Sequence, residues 1–130
     1  MCGEWSQADT DCAKNLNNVR VGSRWTGTMD KGASGGQVFE ASCPEPPCSC
    51  DEPNGDPSDY SDSYRKFLKM FAEAQIYSFE KTWGWFYWTW HTETAVHWSW
   101  RLGREAGILP EKAYAPEYKC DSSAPDFDDS

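Results

Sequence analysis

Five aromatic side chains fall within seven residues in the second half of the chain, in the stretch "GWFYWTW" at 84–90. The polar residues His91 and Glu93 follow at once. Aromatic rings stack on the apolar faces of sugars, because the ring face that attracts cations also attracts polarised C–H groups. We predict that most of the run packs inside the fold as core. Its end, Trp88 and Trp90 with His91 and Glu93, is predicted to border a site for a neutral glycan.

Six cysteines form the second set of residues with a chemistry of their own, and three of them lie in "CPEPPCSC" at 43–50. As thiolates they could bind zinc together with His91 or His97, but their spacing matches no common zinc pattern. Disulfides are therefore favoured, and six cysteines allow many pairings. The stretch "DPSDYSD" at 56–62 lacks the glycine and the terminal glutamate of an EF-hand calcium loop. We expect no metal ion and no cofactor.

Length and charge narrow the choice of partners. The chain has 130 residues and a formal net charge of −9, which repels nucleic acid and anionic membrane surfaces. No apolar run approaches the roughly 18 residues of a membrane span, and the start "MCGEWSQADTDC" shows no signal-peptide pattern. Short cysteine-rich chains are typical of oxidising compartments. The sequence predicts a secreted, extracellular protein that binds a neutral glycan or another protein.

Periodicity and turn residues divide the chain into elements. Residues 58–81 form the clearest helix, with one apolar stripe. The continuous apolar run at 84–90 predicts a strand covered on both faces, and a second helix is expected over 95–106. Residues 31–57 form a Cys/Pro/Gly-rich loop, and 121–130 form an acidic flexible tail. The candidate helix caps are Ser58, Asp59 and Ser61, and the stripe comprises Tyr60, Tyr64, Phe67, Leu68, Phe71, Gln75 and Phe79.

Three blocks of the sequence resemble one known family. "GEWSQADTDCAK" at 3–14, "GWFYWTWHTE" at 84–93 and "WSWRLGREAGILP" at 98–110 are similar to the C-terminal part of fungal exo-β-1,3-glucanases, in family 5 of the glycoside hydrolases. The likeness is weakest across the Cys-rich loop. Members of that family are (β/α)8 barrels that hydrolyse glucan with retention through two glutamates.

The resemblance implies a role for several residues. It makes Glu4 the nucleophile at the end of the seventh barrel strand and Trp88 a sugar-stacking side chain at the end of the eighth. It also implies that Asn17 lies near the sugar. Where the family has a ligand-contacting arginine, this chain has Val21, with Arg20 just before it.

The resemblance further favours a disulfide between Cys12 and Cys43.

The resemblance also limits the fold class. A (β/α)8 barrel takes about 200 residues at the least, so roughly its last two strands and helices are represented. We predict one α/β domain over 1–130: a small β-sheet packed with helices (αβα-like), derived from the last βα units of a barrel. Such a portion leaves sheet edges and an apolar face bare, so we expect completion by a homodimer.

Three classes of function remain open. The leading one is a lectin-like, carbohydrate-binding protein without hydrolysis, because the resemblance places the acid/base glutamate upstream and retaining hydrolysis needs two carboxyls about 5–5.5 Å apart. The alternative is an exo-β-1,3-glucanase, or a C-terminal fragment of one, with Glu4 as nucleophile. The second alternative is a secreted effector or toxin that acts on other cells. In a glycan site, Glu4, Asn17 and Glu93 are the expected hydrogen-bonding partners of sugar hydroxyls.

Overall fold

The computed structural model describes residues 1–32, 35–121 and 123. The acidic tail expected over 121–130 lies outside these residues, apart from Asp121 and Ser123. Within the described part of the chain, no helix combines the length and the apolar character needed to cross a membrane.

The chain divides into two compact units. Unit 1 joins Met1–Asp9 to the segment that starts at Tyr60, and unit 2 is the intervening Thr10–Asp59. The single domain expected over 1–130 stays a prediction. The elements, in chain order, are β1 (Met29–Asp30), β2 (Gln37–Val38), α1 (Asp51–Asn54), a 3-10 turn (Pro57–Asp59), α2 (Asp62–Phe79), a second 3-10 turn (Val96–Trp98) and α3 (Trp100–Glu105).

The first predicted helix is confirmed with different bounds, and the second is only partly right. The helix expected over 58–81 is α2, which begins after Ser61 because the Ser61 hydroxyl accepts the N–H of Tyr64 at 3.2 Å. The helix expected over 95–106 is split into the second 3-10 turn and α3. Ser99 separates the two parts, since its backbone is extended and its hydroxyl caps α3 by accepting the N–H of Leu102.

The core of unit 1 lies along one face of α2. Leu68, Ala72 and Ile76 follow at intervals of four residues and are fully buried, as one helical face requires. The predicted stripe is only partly right, because Phe71 and Gln75 are half-buried and the small Ala72 takes the central place. The buried groups are Trp5, Ala72, Ile76 and Leu109 in one cluster and Tyr60, Leu68 and Ile108 in the other.

The aromatic run at 84–90 departs from its prediction. Only Tyr87 forms a bridge, to Trp5 in a parallel arrangement, so the segment is extended but is not a regular strand. Gly84 has a φ of 101°, which turns the backbone where the run begins. The prediction that both faces are covered is wrong, because the side chains of Phe86 and Trp88 are 62% and 54% exposed.

Unit 2 holds the regular sheet of the described residues, a single antiparallel pair in which Met29 lies opposite Val38. The loop expected over 31–57 therefore contains β2 and α1 as well as irregular chain. The structure thus has a small sheet together with helices. Its derivation from barrel units and its completion by a homodimer stay predictions.

The disulfide pairing implied by the resemblance is wrong. Cys12 pairs with Cys50, and Cys43 pairs with Cys48 across the proline-rich turn between them. The α1 helix begins directly after Cys50, and the side-chain amide of Asn54 donates to the Cys12 carbonyl at 2.9 Å. This contact brings Cys50 to Cys12, with Cα atoms 5.4 Å apart. The free cysteines are Cys2 and Cys120.

Candidate functional site

Two extended segments of unit 1 run side by side and carry the candidate residues. The N–H of Trp5 donates to the Phe86 carbonyl at 3.1 Å, and the N–H of Trp88 donates to the Trp5 carbonyl at 2.7 Å. A third bond joins the N–H of Cys2 to the Gly84 carbonyl at 3.0 Å. The segment that contains Glu4 is thereby fixed alongside the aromatic run.

Alternation along these segments separates their side chains onto two faces. Trp5 is buried, and its ring lies 5.3 Å from that of Trp85 and 5.0 Å from that of Tyr87 in edge-on contacts, the geometry that aromatic pairs prefer. Glu4, Phe86 and Trp88 alternate with these residues and are exposed. A carboxylate and two aromatic side chains therefore share the outer face.

A second set of backbone hydrogen bonds holds the residues that follow Trp88. The N–H of Thr89 donates to the Trp98 carbonyl at 2.6 Å, and the N–H of Trp100 donates to the Thr89 carbonyl at 2.8 Å. The Trp90 carbonyl accepts the N–H of Arg101 at 3.0 Å, while the Trp90 side chain is 65% exposed. We call the exposed side chains of Phe86, Trp88 and Trp90 the aromatic platform.

Two acidic side chains of unit 1 are unpaired among the described residues: Glu4, whose segment runs beside the aromatic run, and Glu93, which follows it in the sequence. Glu4 and Glu93 are exposed, and within the described residues neither carboxylate has a hydrogen-bond or ion-pair partner. His91, also exposed, follows Trp90 directly. The turn after it is fixed, because the Thr92 hydroxyl donates to the Ala95 carbonyl at 2.8 Å.

Asn17 belongs to unit 2, where its side-chain amide forms hydrogen bonds within the fold. Its Nδ2 donates to Asp11 Oδ2 at 2.7 Å and to the Gly22 carbonyl at 3.1 Å. Asn17 also lines a cavity of about 300 Å³, together with Asn15 and Arg20. The structure therefore gives Asn17 a bracing role within unit 2, and its sugar contact stays a prediction.

Sequence reasoning missed two features of unit 1. The sequence prediction leaves Phe86 in the core part of the run, yet Phe86 is exposed, and its two-residue spacing from Trp88 is a signal that the two share a face. His97 was given no role, yet it is buried between Asp9 and Tyr60. These residues are too far apart in sequence for any local pattern to connect them.

Tyr87 links the core face of the run to His97. Its hydroxyl donates to the His97 carbonyl at 2.8 Å. Burial raises the pKa of the Tyr87 phenol, against the opposite effect of a hydrogen bond with the Gln7 backbone. The phenol therefore stays a neutral donor at physiological pH.

Among the described residues, exposed aromatic rings and an unpaired carboxylate thus lie at the surface of unit 1. No family model matches the chain, but its relatives are fungal glycosidases. The chain is 55% identical over 127 residues to glucan 1,3-beta-glucosidase D of Emericella nidulans. It is 55% identical over 133 residues to the probable glucan 1,3-beta-glucosidase D of Aspergillus terreus, and 54% identical over 129 residues to that of Aspergillus fumigatus.

These matches cover 98–99% of this chain and 15% of each relative. The resemblance inferred from the sequence is confirmed: the chain is related to a C-terminal segment of fungal exo-β-1,3-glucanases. The chain spans about 15% of the length of the relatives that it matches. The two disulfides fit an oxidising, extracellular environment.

Proposed function

We propose that this chain is the glucan-binding, nucleophile-bearing part of a secreted protein that acts on β-1,3-glucan, and that the 130-residue polypeptide binds neutral glucan without hydrolysing it. The observation that carries the proposal is the outer face of unit 1, where Glu4 lies alongside the aromatic platform. The names of the relatives, glucan 1,3-beta-glucosidases, support β-1,3-glucan as the ligand.

The platform suits a sugar better than a charged partner. Rings offer flat apolar area at a low entropic cost, and the exposed carboxylates of Glu4 and Glu93 can accept hydrogen bonds from hydroxyls. The same carboxylates, and the net charge of −9, would repel acidic polysaccharides. Binding of a neutral glucan should therefore depend little on salt, because no charge pairing drives it.

Glu4 is the proposed nucleophile of the second candidate function, retaining hydrolysis. In that reaction a Glu4 oxygen attacks the anomeric carbon, the bond to the leaving oxygen breaks, and a second carboxylic acid protonates that oxygen. Water then cleaves the glycosyl ester, and the second carboxyl takes up its proton. The resemblance places this second carboxyl upstream of Glu4 in the relatives. We therefore expect the 130-residue polypeptide to release no glucose from laminarin.

Laminaripentaose binding, followed by titration calorimetry, tests the proposal. Trp88→Ala and Trp90→Ala should each weaken binding by about tenfold, or about 1.4 kcal/mol, because each removes a stacking ring. Phe39→Ala is the matched control, since Phe39 is 65% exposed but belongs to unit 2, and it should change nothing. Circular dichroism establishes that each variant is folded. Parent-level affinity in both folded tryptophan variants would show that the platform is not the site.

Glucose release from laminarin is measured in parallel. A rate above background that Glu4→Gln abolishes would establish hydrolysis by this polypeptide and replace the binding proposal. Binding of a protein partner without any glycan would instead favour the effector or toxin alternative.

A further inference from the structure

A buried polar network lies behind the outer face of unit 1. His97 Nδ1 is 3.4 Å from Asp9 Oδ1, and His97 Nε2 is 3.3 Å from the Tyr60 hydroxyl. The Tyr64 hydroxyl donates to both Asp9 oxygens, at 3.3 and 3.2 Å. Tyr60 and His97 are each only 5% exposed. We call these four residues the His97 network.

The chemistry of the groups fixes part of the direction of the network's hydrogen bonds. A carboxylate only accepts, so the Tyr64 hydroxyl is the donor to Asp9. His97 Nδ1 faces the same carboxylate, and His97 Nε2 shares a hydrogen bond with the Tyr60 hydroxyl, which can donate or accept. Each imidazole nitrogen faces a different residue, so the groups do not converge on one point as metal ligands would.

The network joins distant parts of the chain. Asp9 ends the N-terminal segment of unit 1, five residues after Glu4, and Tyr60 stands at the point where the chain re-enters unit 1. His97 thus connects the two ends of the 50-residue excursion Thr10–Asp59. Closing a loop of that length costs entropy, and a network buried at low dielectric holds its members in one arrangement.

The same histidine lies next to the backbone that holds the platform. Its carbonyl accepts the Tyr87 hydroxyl at 2.8 Å, and the next residue, Trp98, accepts the N–H of Thr89 at 2.6 Å. Thr89 lies between the two platform tryptophans. A shift of His97 would therefore be passed on directly to Trp88 and Trp90.

We propose that His97 is a positioning residue for glucan binding, which sets the platform relative to Glu4 through Asp9 on one side and Tyr60 on the other. The inference rests on the proposed function. It goes beyond that function by giving the binding site a supporting network that never touches the ligand. On this proposal, an apolar side chain of similar volume at position 97 would fill the same space without fixing the same geometry.

The test compares variants that break the network with one that only destabilises the core. His97→Leu removes both polar contacts of the imidazole, and Tyr60→Phe removes one hydroxyl. Asp9→Asn is the conservative variant, since its amide oxygen can still face Nδ1 and accept from the Tyr64 hydroxyl. Ile76→Val removes one methylene group from the core cluster around Trp5 and leaves the His97 network unchanged. It should lower the melting temperature by a few degrees.

Two readouts are taken at a temperature at which every variant is folded. In laminaripentaose titrations we expect His97→Leu and Tyr60→Phe to weaken binding by about tenfold, and Asp9→Asn to retain most of it. In nitrogen-15 spectra, the indole signals of Trp88 and Trp90 should shift or broaden in the first two variants. Ile76→Val should leave affinity within about twofold of the parent, with both indole signals unmoved.

The indole signals keep this inference separate from the proposed function. If the parent does not bind laminaripentaose, the proposed function fails, and the indole signals still show whether His97 positions the platform. Unmoved indole signals in Tyr60→Phe and His97→Leu overturn the inference, as does a loss of affinity in Ile76→Val equal to theirs. If His97→Leu does not fold, Tyr60→Phe alone decides by the same criteria.

Discussion

The Asp11 carboxylate holds together separate stretches of unit 2. Its oxygens accept the backbone N–H groups of Arg24 and Trp25 at 2.8 and 2.9 Å, and the Asn17 amide at 2.7 Å. The Arg24 guanidinium adds a longer contact at 3.8 Å. Burial alone would raise the pKa of Asp11, but these hydrogen bonds and the Arg24 charge outweigh it, and the pKa lies below its usual 3.8.

We predict that Asp11 makes the stability of unit 2 depend on pH in the acid range. A carboxyl whose pKa is lowered by folding stabilises the fold at pH values above its unfolded pKa, and this stability is lost as the pH falls through the lower, folded pKa. Denaturant melts of the parent at pH 6 and at successively lower pH should therefore show stability falling below a pH of about 4.

The Asp11→Ala variant should lose about 1–3 kcal/mol at neutral pH, because two backbone donors, one of them part-buried, lose a charged acceptor. Its stability should then change less than that of the parent over the acid range. Arg24→Gln is the control and should cost less than about 1 kcal/mol, since exposed ion pairs contribute little. An equal acid dependence in the parent and in Asp11→Ala would assign the effect to other carboxyls.

Among the helices and strands, α2 has the N-terminus most clearly explained by local interactions. The Ser61 hydroxyl accepts the Tyr64 N–H, which satisfies one of the free donors of the first turn, and Asp62 places negative charge at the positive end of the helix dipole. Since Leu68, Ala72 and Ile76 lie on this helix, its alignment sets the core behind the platform.

We predict that Ser61→Ala lowers the free energy of unfolding by about 1 kcal/mol, the usual effect of losing an N-cap. Ser78→Ala is the matched control, because Ser78 lies inside α2 and its exposed hydroxyl donates to the carbonyl of Ala74. That bond is of the kind that slightly destabilises helices, so its loss should be neutral or mildly stabilising. Equal effects in urea titrations of the two variants would mean that the cap does not limit the helix.

At the scale of the whole molecule, covalent links constrain the two units differently. Both disulfides lie within unit 2 and enclose separations of 38 and 5 residues. Unit 1 contains the free Cys2 and Cys120 and depends on packing around α2. The chain-entropy model predicts that the disulfide closing the longer loop stabilises the folded protein more.

We therefore predict unequal costs for the two disulfides. Replacing Cys12 and Cys50 together by alanine should destabilise the protein by about 4 kcal/mol, and replacing Cys43 and Cys48 by about 2 kcal/mol. Cys120→Ala serves as the control, since this thiol is exposed and free. Calorimetric melts of the three variants check the order. A larger loss for the Cys43 and Cys48 pair would contradict the loop-length account.

The sequence by itself determined those features that depend on neighbours along the chain. The repeat of apolar side chains over 58–81 predicts α2, and Ser61 was among its candidate caps, because helix formation is governed by contacts three and four residues apart. The blocks around Glu4 and Trp88 were enough to identify the related glucanases. The candidate residues Glu4, Trp88, Trp90, His91 and Glu93 all lie exposed in unit 1.

Only the tertiary structure decided how distant segments meet. The sequence could not show that Cys12 pairs with Cys50, because the choice of partner depends on how Asn54 and the start of α1 pack against Cys12. A continuous apolar run likewise does not say which of its faces is covered. Trp5, whose ring packs against those of Trp85 and Tyr87, is about 80 residues away from them in the sequence. The His97 network is the clearest case, since its hydrogen bonds arise only once the chain has closed a 50-residue excursion.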